Sequence, residues 1–289
     1  MSSATIPTSK KLLKELRRFA RNAGLPWPAN VRGRPYARDP RQYVVLLLWG
    51  RYYGWSFRVL EAQTDLIGPR VPKSSLHDAF ARLQAGYLDN LLALCRWRGT
   101  NWIIDSTGIE TDRLSDRKSS DGLFHHEHWK LHALACWDPV GRKIWFFACK
   151  ATPGNVSDYV PASDLLKVVD RGRFFADRGY DSKALIGQCY EQGIEPQIKQ
   201  RRCSEQWRGV RGRALKSFNV DAYRRVRGRI EAAFGGLKHR YNSSVRERLA
   251  PMREKAILCL AFSHNLRTLL RANTFTETIY RTVSVANGR

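Results

Sequence analysis

The pattern of apolar and polar positions changes once along the chain, near residue 99. Before that point apolar residues recur every three or four positions, as in amphipathic helices. In "SKKLLKELRRFARNAG" they share one face, which predicts a helix that ends at Gly24 and carries cations on its other face. The apolar run from Asp39 to Tyr53 predicts a second, central helix. Residues 1–98 are therefore predicted to form an all-α domain.

Two further helices are predicted over residues 54–68 and 71–94, the second carrying Lys73 and Arg82. A short helix, a tight turn and a second helix with cations are typical of a helix-turn-helix, whose second helix enters the major groove of DNA. An ordinary helical bundle explains the same pattern equally well, because nothing in the spacing is diagnostic.

A segment rich in Pro and Gly, "PWPANVRGRP", joins the first two helices. Such a composition excludes regular structure. Its Arg32 and Arg34 suit insertion into a groove of DNA, and a plain linker is an equally good interpretation.

After residue 99 the pattern favours strands. The segments "WIIDSTGIE", "HWKLHALACWD" and "GRKIWFFACKATPG" predict three antiparallel strands, followed by helix, strand, helix and strand through residue 200. This is the order of an RNase H-like α/β domain, a mixed sheet flanked by helices. We assign it to residues 99–275, with a basic loop over 201–222, two closing helices and a C-terminal tail over 276–289.

Three carboxylates follow bulky apolar residues, where a solvated acid is unusual. Asp105 follows "WII", Asp177 follows "FFA", and Glu231 follows Ile230 in a predicted helix. Each acid has an ordinary explanation, such as a turn or an ion pair with Arg227. In the predicted fold, however, the first and fourth strands are neighbours. The three acids would then meet, and carboxylate oxygens are the ligands that hard divalent cations prefer.

The sequence resembles the DDE transposases of bacterial and archaeal insertion sequences over roughly residues 33–271. The resemblance is carried by "IIDSTGI", "KLHALACWDPVGR", "TPGNVSD", "FFADRGYDS" and "YRRVRGRIEAAFGGLKHRY". It implies that Asp105, Asp177 and Glu231 are catalytic and bind two divalent ions, Mg²⁺ or Mn²⁺.

The resemblance also implies a set of DNA contacts. Arg227 and Lys238 would bind phosphates near the cut. Lys130 and His132 share a face of their predicted strand and would lie near the catalytic groove, and a solvated face explains this pair nearly as well. Arg224 stands where the family usually has tyrosine and is assigned to DNA binding, which leaves the role of the neighbouring Tyr223 open.

The activity implied is that of a transposase. Such an enzyme binds the terminal inverted repeats of double-stranded DNA, cuts the strands and transfers them to a target in cut-and-paste transposition. A homodimer on DNA and a cytoplasmic, nucleoid-associated location in a prokaryote are expected. The alternatives are a domesticated DNA-binding regulator and a structure-specific nuclease on the same fold.

The charge of the chain agrees with a nucleic-acid partner. Fifty Lys and Arg against 26 Asp and Glu give a formal charge of +24, which repels itself unless a polyanion compensates it. Between residues 201 and 255 the cations number sixteen and the acids five. Trp207 in this stretch suits stacking on a base, although packing within the domain is the simpler interpretation.

Other sequence features point to less specific conclusions. The six cysteines form no C-x-x-C pair, which favours reduced thiols. The histidines of "HHEHWKLH" would suit zinc on a helix, but the alternation predicts a strand and no cysteine completes the set. The best apolar run, "YVVLLLWG", is too short to cross a membrane.

The excess of cations predicts a steep salt dependence of DNA binding. Several Lys and Arg that bind phosphates release counterions, so the log–log plot of affinity for any duplex against salt should have a slope of about −5 or steeper. A salt titration by fluorescence anisotropy measures it. A slope near −1 would count against DNA as the partner.

Overall fold

The computed structural model describes residues 9–28, 38–95, 99–114, 126–202, 208–241 and 244–272. The first part is helical, as expected. Its five helices are α1 (Ser9–Asn22), α2 (Pro40–Tyr53), α3 (Phe57–Thr64), α4 (Lys73–Arg82) and α5 (Ala85–Leu94). Asp39 begins α2, since its side chain accepts a hydrogen bond from the Arg41 amide at 2.8 Å.

A mixed sheet forms the second part. Its strands are β1 (Asn101–Leu114), β2 (His126–Asp138), β3 (Lys143–Pro153), β4 (Gly172–Ala176), β5 (Ile194–Ile198) and the short β6 (Ser244–Val245). The strand order is β3-β2-β1-β4-β5, with β6 paired to β1. β1 is antiparallel to β2 and parallel to β4, which confirms that the first and fourth predicted strands are neighbours. This mixed sheet flanked by helices fits an RNase H-like domain.

Five helices complete the second part. They are α6 (Tyr159–Leu166), α7 (Lys183–Glu191), α8 (Gly209–Lys216), α9 (Val220–Tyr241) and α10 (Ala250–Ala272). The prediction of a loop over 201–222 is wrong in part, because α8 forms inside it and α9 begins at Val220. Ala214 of α8 is buried against the sheet, a contact that the basic composition of the segment hides.

The helix predicted over residues 71–94 is also interrupted. Leu83 is extended and buried, and the amide of Gln84 donates to the carbonyl of Pro26 at 3.2 Å, so the chain leaves the helix between α4 and α5. Residues 65–72 connect α3 to α4. That connection is longer than the roughly three- or four-residue turn typical of a helix-turn-helix.

Buried apolar residues form one cluster on each face of the sheet. The larger cluster includes residues of α9, α10 and the N-terminal helices, and Phe19 of α1 meets Phe262 of α10 edge to face at 5.3 Å. Lys255 of α10 donates to the carbonyls of Phe80 and Ala81 at the end of α4. The N-terminal helices therefore share a core with the sheet, and the domain boundary near residue 98 stays a prediction. No helix in the described part of the chain is long and apolar enough to cross a membrane.

One buried side chain hydrogen-bonds with the main chain at the outer edge of β3. Asn265 of α10 is fully buried, and its amide donates to the Phe146 carbonyl at 2.7 Å and accepts from the Phe146 amide at 2.9 Å. It therefore replaces a neighbouring strand at that point.

Asn265→Ala should lower the free energy of unfolding by about 2 to 4 kcal/mol, because it leaves two buried main-chain groups without a partner. Urea denaturation measures the change. Asn90→Ala, which removes a single partly exposed hydrogen bond to Ala23, should cost less than about 1 kcal/mol. Equal losses in the two variants would contradict this role for Asn265.

Candidate active site

The strand register brings Asp105 and Asp177 together. Ile103 of β1 lies opposite Phe175 of β4, and both side chains belong to the larger apolar cluster. Two residues further along each chain are Asp105 and Asp177. Because side chains alternate between faces, both carboxylates lie on the face that α9 covers.

Helix α9 brings the third carboxylate. Ile230 and Leu237 are fully buried against the sheet, which fixes the rotation of the helix. Arg227 and Glu231 are one turn apart on a neighbouring stripe of α9 and so lie beside Asp105 of β1 and Asp177 at the end of β4. The side chains of the acids become progressively more exposed, from 11% for Asp105 to 42% for Asp177 and 63% for Glu231.

The Arg227 guanidinium lies among all three carboxylates. Its Nη1 is 3.0 Å from Asp105 Oδ2 and 3.0 Å from Glu231 Oε1, and its Nη2 is 3.8 Å from Asp177 Oδ2. One cation thus faces three acids from three separate segments. The arginine that the resemblance assigns to phosphate binding is, in this structure, the counter-ion of the acids.

Asp105 has the most perturbed environment of the three acids. Burial raises the pKa of its carboxyl from 3.8 to about 6, against the lowering effects of the Arg227 charge and the Ser106 backbone amide. The charges of Asp177 and Glu231 raise the pKa further. The site therefore holds more negative charge than its one guanidinium neutralises.

Tyr223, whose role the sequence left open, faces the same site. It lies one turn before Arg227 on α9, and burial raises the pKa of its hydroxyl, which hydrogen-bonds with the Arg227 guanidinium. The ring packs on Phe218 with the ring centres 5.3 Å apart. Tyr223 is four residues before Arg227, whereas the family's tyrosine is usually three residues before the arginine. Both spacings put the tyrosine beside the arginine on a helix.

Lys130 and His132 share a face of β2, as expected, but it is the face opposite the acids, because His132 is paired with Ser106 rather than Asp105. The Lys130 ammonium is 2.9 Å from Asp158 Oδ1. His132 is fully buried, and burial lowers its pKa to about 4. A neutral side chain without exposed surface has no access to DNA, so this structure does not support His132 as a DNA contact.

The other predicted DNA contacts that the structure describes lie on α9 and α4. Arg224 is exposed and Lys238 half-buried on α9, while Lys73 and Arg82 are exposed on α4. Arg32, Arg34 and Trp207 lie outside the described residues.

Two further acids, whose positions the sequence pattern does not reveal, lie close to Asp177. Asp158, from "TPGNVSD", contacts Lys130. The buried Asp181 carboxylate pairs with Arg211 at 3.2 Å and accepts from the Arg201 amide at 2.9 Å, so it ties two segments together and does not simply begin helix α7. Neither acid follows a run of apolar residues, and only tertiary contacts distinguish them from surface carboxylates.

Residues 99–266, more than half of the chain, match the family described as the transposase DDE domain. The chain belongs to this family. No curated protein matches it. Membership confirms the predicted resemblance: the chain is a DDE transposase, a class of enzyme that acts on DNA in transposition and recombination. The family generally uses divalent metal ions. The matched range contains β1, β4 and α9, and so all three clustered acids.

The raised pKa of Asp105 predicts that the free energy of unfolding depends on pH when a chelator keeps metal ions away from the protein. A carboxyl whose pKa is higher in the folded state contributes stability that is complete below pH 3.8 and lost as the pH rises through about 6. Asp105→Asn removes this dependence. Relative to the wild type, its free energy of unfolding should therefore rise by up to about 3 kcal/mol between pH 4 and pH 7. Denaturation of both proteins at the two pH values measures it. If the difference in unfolding free energy between the two proteins is the same at both pH values, the raised pKa of Asp105 is contradicted.

Proposed function

We propose that the protein binds the terminal inverted repeats of a mobile element as double-stranded DNA, cleaves the ends and joins them to target DNA. Asp105, Asp177 and Glu231 would hold two Mg²⁺ or Mn²⁺ ions at the site of cleavage. One observation carries the proposal: three acids from distant segments converge on a single guanidinium where β4 ends beside β1.

The donor set suits these ions. All three side chains offer carboxylate oxygens, which Mg²⁺ and Mn²⁺ prefer, and no sulfur or imidazole accompanies them. Within the described residues no three acidic, histidine or cysteine side chains form a ready cage. The Arg227 guanidinium stands between the acids, where its positive charge takes the place of the ions. Metal binding therefore requires Arg227 to move away.

Each residue of the chain has a distinct task in this proposal. Strands β1 and β4 hold the two aspartates rigidly, and α9 brings Glu231 to them. Metal ions in such a site activate a hydroxyl nucleophile and stabilise the leaving oxygen. The freed Arg227 would bind a phosphate of the cut strand with two parallel hydrogen bonds, a geometry that lysine does not offer.

Cations outside the acid cluster would bind the rest of the duplex. Lys238 lies two turns beyond Glu231 on α9. Arg224 is exposed on the same helix, three residues before Arg227. The exposed Lys73 and Arg82 on α4 suit phosphate or base contacts at the terminal repeat. Two ends must be held together, so we propose a homodimer on DNA, acting at the nucleoid in the cytoplasm of a prokaryote.

A DNA-binding regulator without catalysis is the second candidate. The observation that favours it is the closed cluster, in which Arg227 already neutralises part of the acidic charge. Metal-dependent cleavage by the wild type separates the two functions.

Asp105→Asn, Asp177→Asn and Glu231→Gln should each abolish Mg²⁺-dependent cleavage and joining of a labelled end duplex. They keep the size of the side chain and remove the charge that holds the metal. Binding of the same duplex should be retained or tightened, because removing an acid relieves repulsion with phosphate.

Asp170→Asn is the matched control, since Asp170 is exposed and lies away from the cluster. It should cleave like the wild type. Asp181→Asn is unsuitable as a control because that carboxylate is buried in an ion pair. Retained cleavage in any of the first three variants would remove that residue from the site, and a wild type without cleavage would support the regulator.

A further inference from the structure

A second ion pair lies behind the acid cluster, on the opposite face of the sheet. The ammonium of Lys130 donates to Asp158 Oδ1 at 2.9 Å and to the carbonyl of Val156 at 3.0 Å. Both charged side chains are largely covered, with 23% and 28% of their surface exposed. The pair joins the middle of β2 to the segment that enters α6.

The Asp158 carboxylate faces the turn that carries Asp177. A methyl group on Gly179 would lie 3.8 Å from Asp158 Oδ2 and 3.0 Å from Asp177 Oδ1. The Gly179 amide donates to Asp177 Oδ1 at 2.7 Å. Both carboxylates thus lie close to Gly179 in the turn. Without a cation beside Asp158, the two negative charges would repel each other.

The next residue anchors the turn to the same side. The Tyr180 ring is fully buried in the smaller apolar cluster, together with residues of α6 and α7. Burial raises the pKa of its hydroxyl well above 10, and the charges of Asp105 and Asp158 act in the same direction. Tyr180 therefore anchors the turn in the smaller apolar cluster, and the Asp158 carboxylate lies close to Gly179 in the same turn.

His132 does not provide the cation. Its Nδ1 is 3.9 Å from Asp158 Oδ1, but its Nε2 pairs with the Thr152 hydroxyl at 2.8 Å and the ring is fully buried. The charge opposite Asp158 therefore comes from Lys130.

We infer that Lys130 and Asp158 are positioning residues. From the face of the sheet opposite the acid cluster, they hold the turn from Asp177 to Tyr180 in place and so orient the Asp177 carboxylate. This rests on the proposed function, in which Asp177 holds metal. It assigns Lys130 a different task from the DNA contact that the sequence suggests, because the ammonium is already bound to a carboxylate and a carbonyl. Groups that orient metal ligands commonly change metal affinity or activity by about 10- to 100-fold when they are replaced.

The test compares Lys130→Met, Asp158→Asn and the conservative Lys130→Arg in the full-length protein. Mn²⁺ binding is measured by calorimetry without DNA, and cleavage of an end duplex is measured at saturating and subsaturating DNA. Lys130→Met and Asp158→Asn should weaken Mn²⁺ binding and slow cleavage at saturating DNA by about tenfold or more. Their affinity for the duplex should stay within about twofold of the wild type, and Lys130→Arg should recover most of both losses.

Lys150→Met is the matched control. Lys150 also lies in the sheet and pairs with an aspartate, Asp164, but that pair is exposed, so metal binding and cleavage should be unchanged. Should Lys130→Met fail to fold, Asp158→Asn carries the test, because it keeps the size of the side chain.

Two results would overturn the inference. Weaker duplex binding with a salt slope shallower by about one, at unchanged Mn²⁺ affinity, would show that Lys130 binds phosphate. Wild-type values in both Lys130→Met and Asp158→Asn would show that the pair has no influence on the site. If the wild type itself lacks metal-dependent cleavage, the proposed function fails, a result distinct from either of these.

Discussion

The Arg227 guanidinium is the interaction on which the acid cluster depends. Three carboxylates within 4 Å of the nitrogens of one guanidinium, one of them largely buried, would repel one another without that cation between them. The arginine lies one helical turn from Glu231, so the element that brings the third acid also brings its counter-ion. A site built in this way stays assembled before metal and DNA arrive.

The same constraint explains how the fold surrounds the site. The parallel pairing of β1 with β4 sets two aspartates at equal height, and α9 packs over that face through a stripe of buried apolar residues. On the other face, a second cation, Lys130, pairs with Asp158 beside the turn that carries Asp177. A cation therefore faces acidic side chains on each face of the sheet, Arg227 beside the three clustered acids and Lys130 beside Asp158.

Much of this arrangement is predictable from the sequence, for a physical reason. Asp177, directly after "FFA", lies where the buried strand β4 ends, whereas Asp105, after "WII", lies within β1, which continues to Leu114. The order of the strands makes β1 and β4 neighbours, so the two acids meet. The role of Asp158 is not predictable in this way, because its position depends on how the segment before α6 crosses β2. Helix α8 and the break between α4 and α5 escape prediction similarly, since a single buried contact at Ala214 or Leu83 outweighs the local pattern.

Which groups pair with Arg227 also depends on the tertiary structure. An ion pair of Arg227 with Glu231 follows from helical spacing, whereas its contacts with Asp105 and Asp177 require the sheet. In the structure Arg227 pairs with the acids, and a DNA phosphate as its second partner belongs to the proposed function.

Anomalous diffraction at the manganese edge from crystals of the protein with an end duplex and Mn²⁺ tests this account most directly. The account predicts manganese bound by Asp105, Asp177 and Glu231, with the Arg227 guanidinium moved from the carboxylates onto a DNA phosphate. Arg227 still paired with all three acids, and manganese absent from them in a complex that cleaves its DNA, would contradict it.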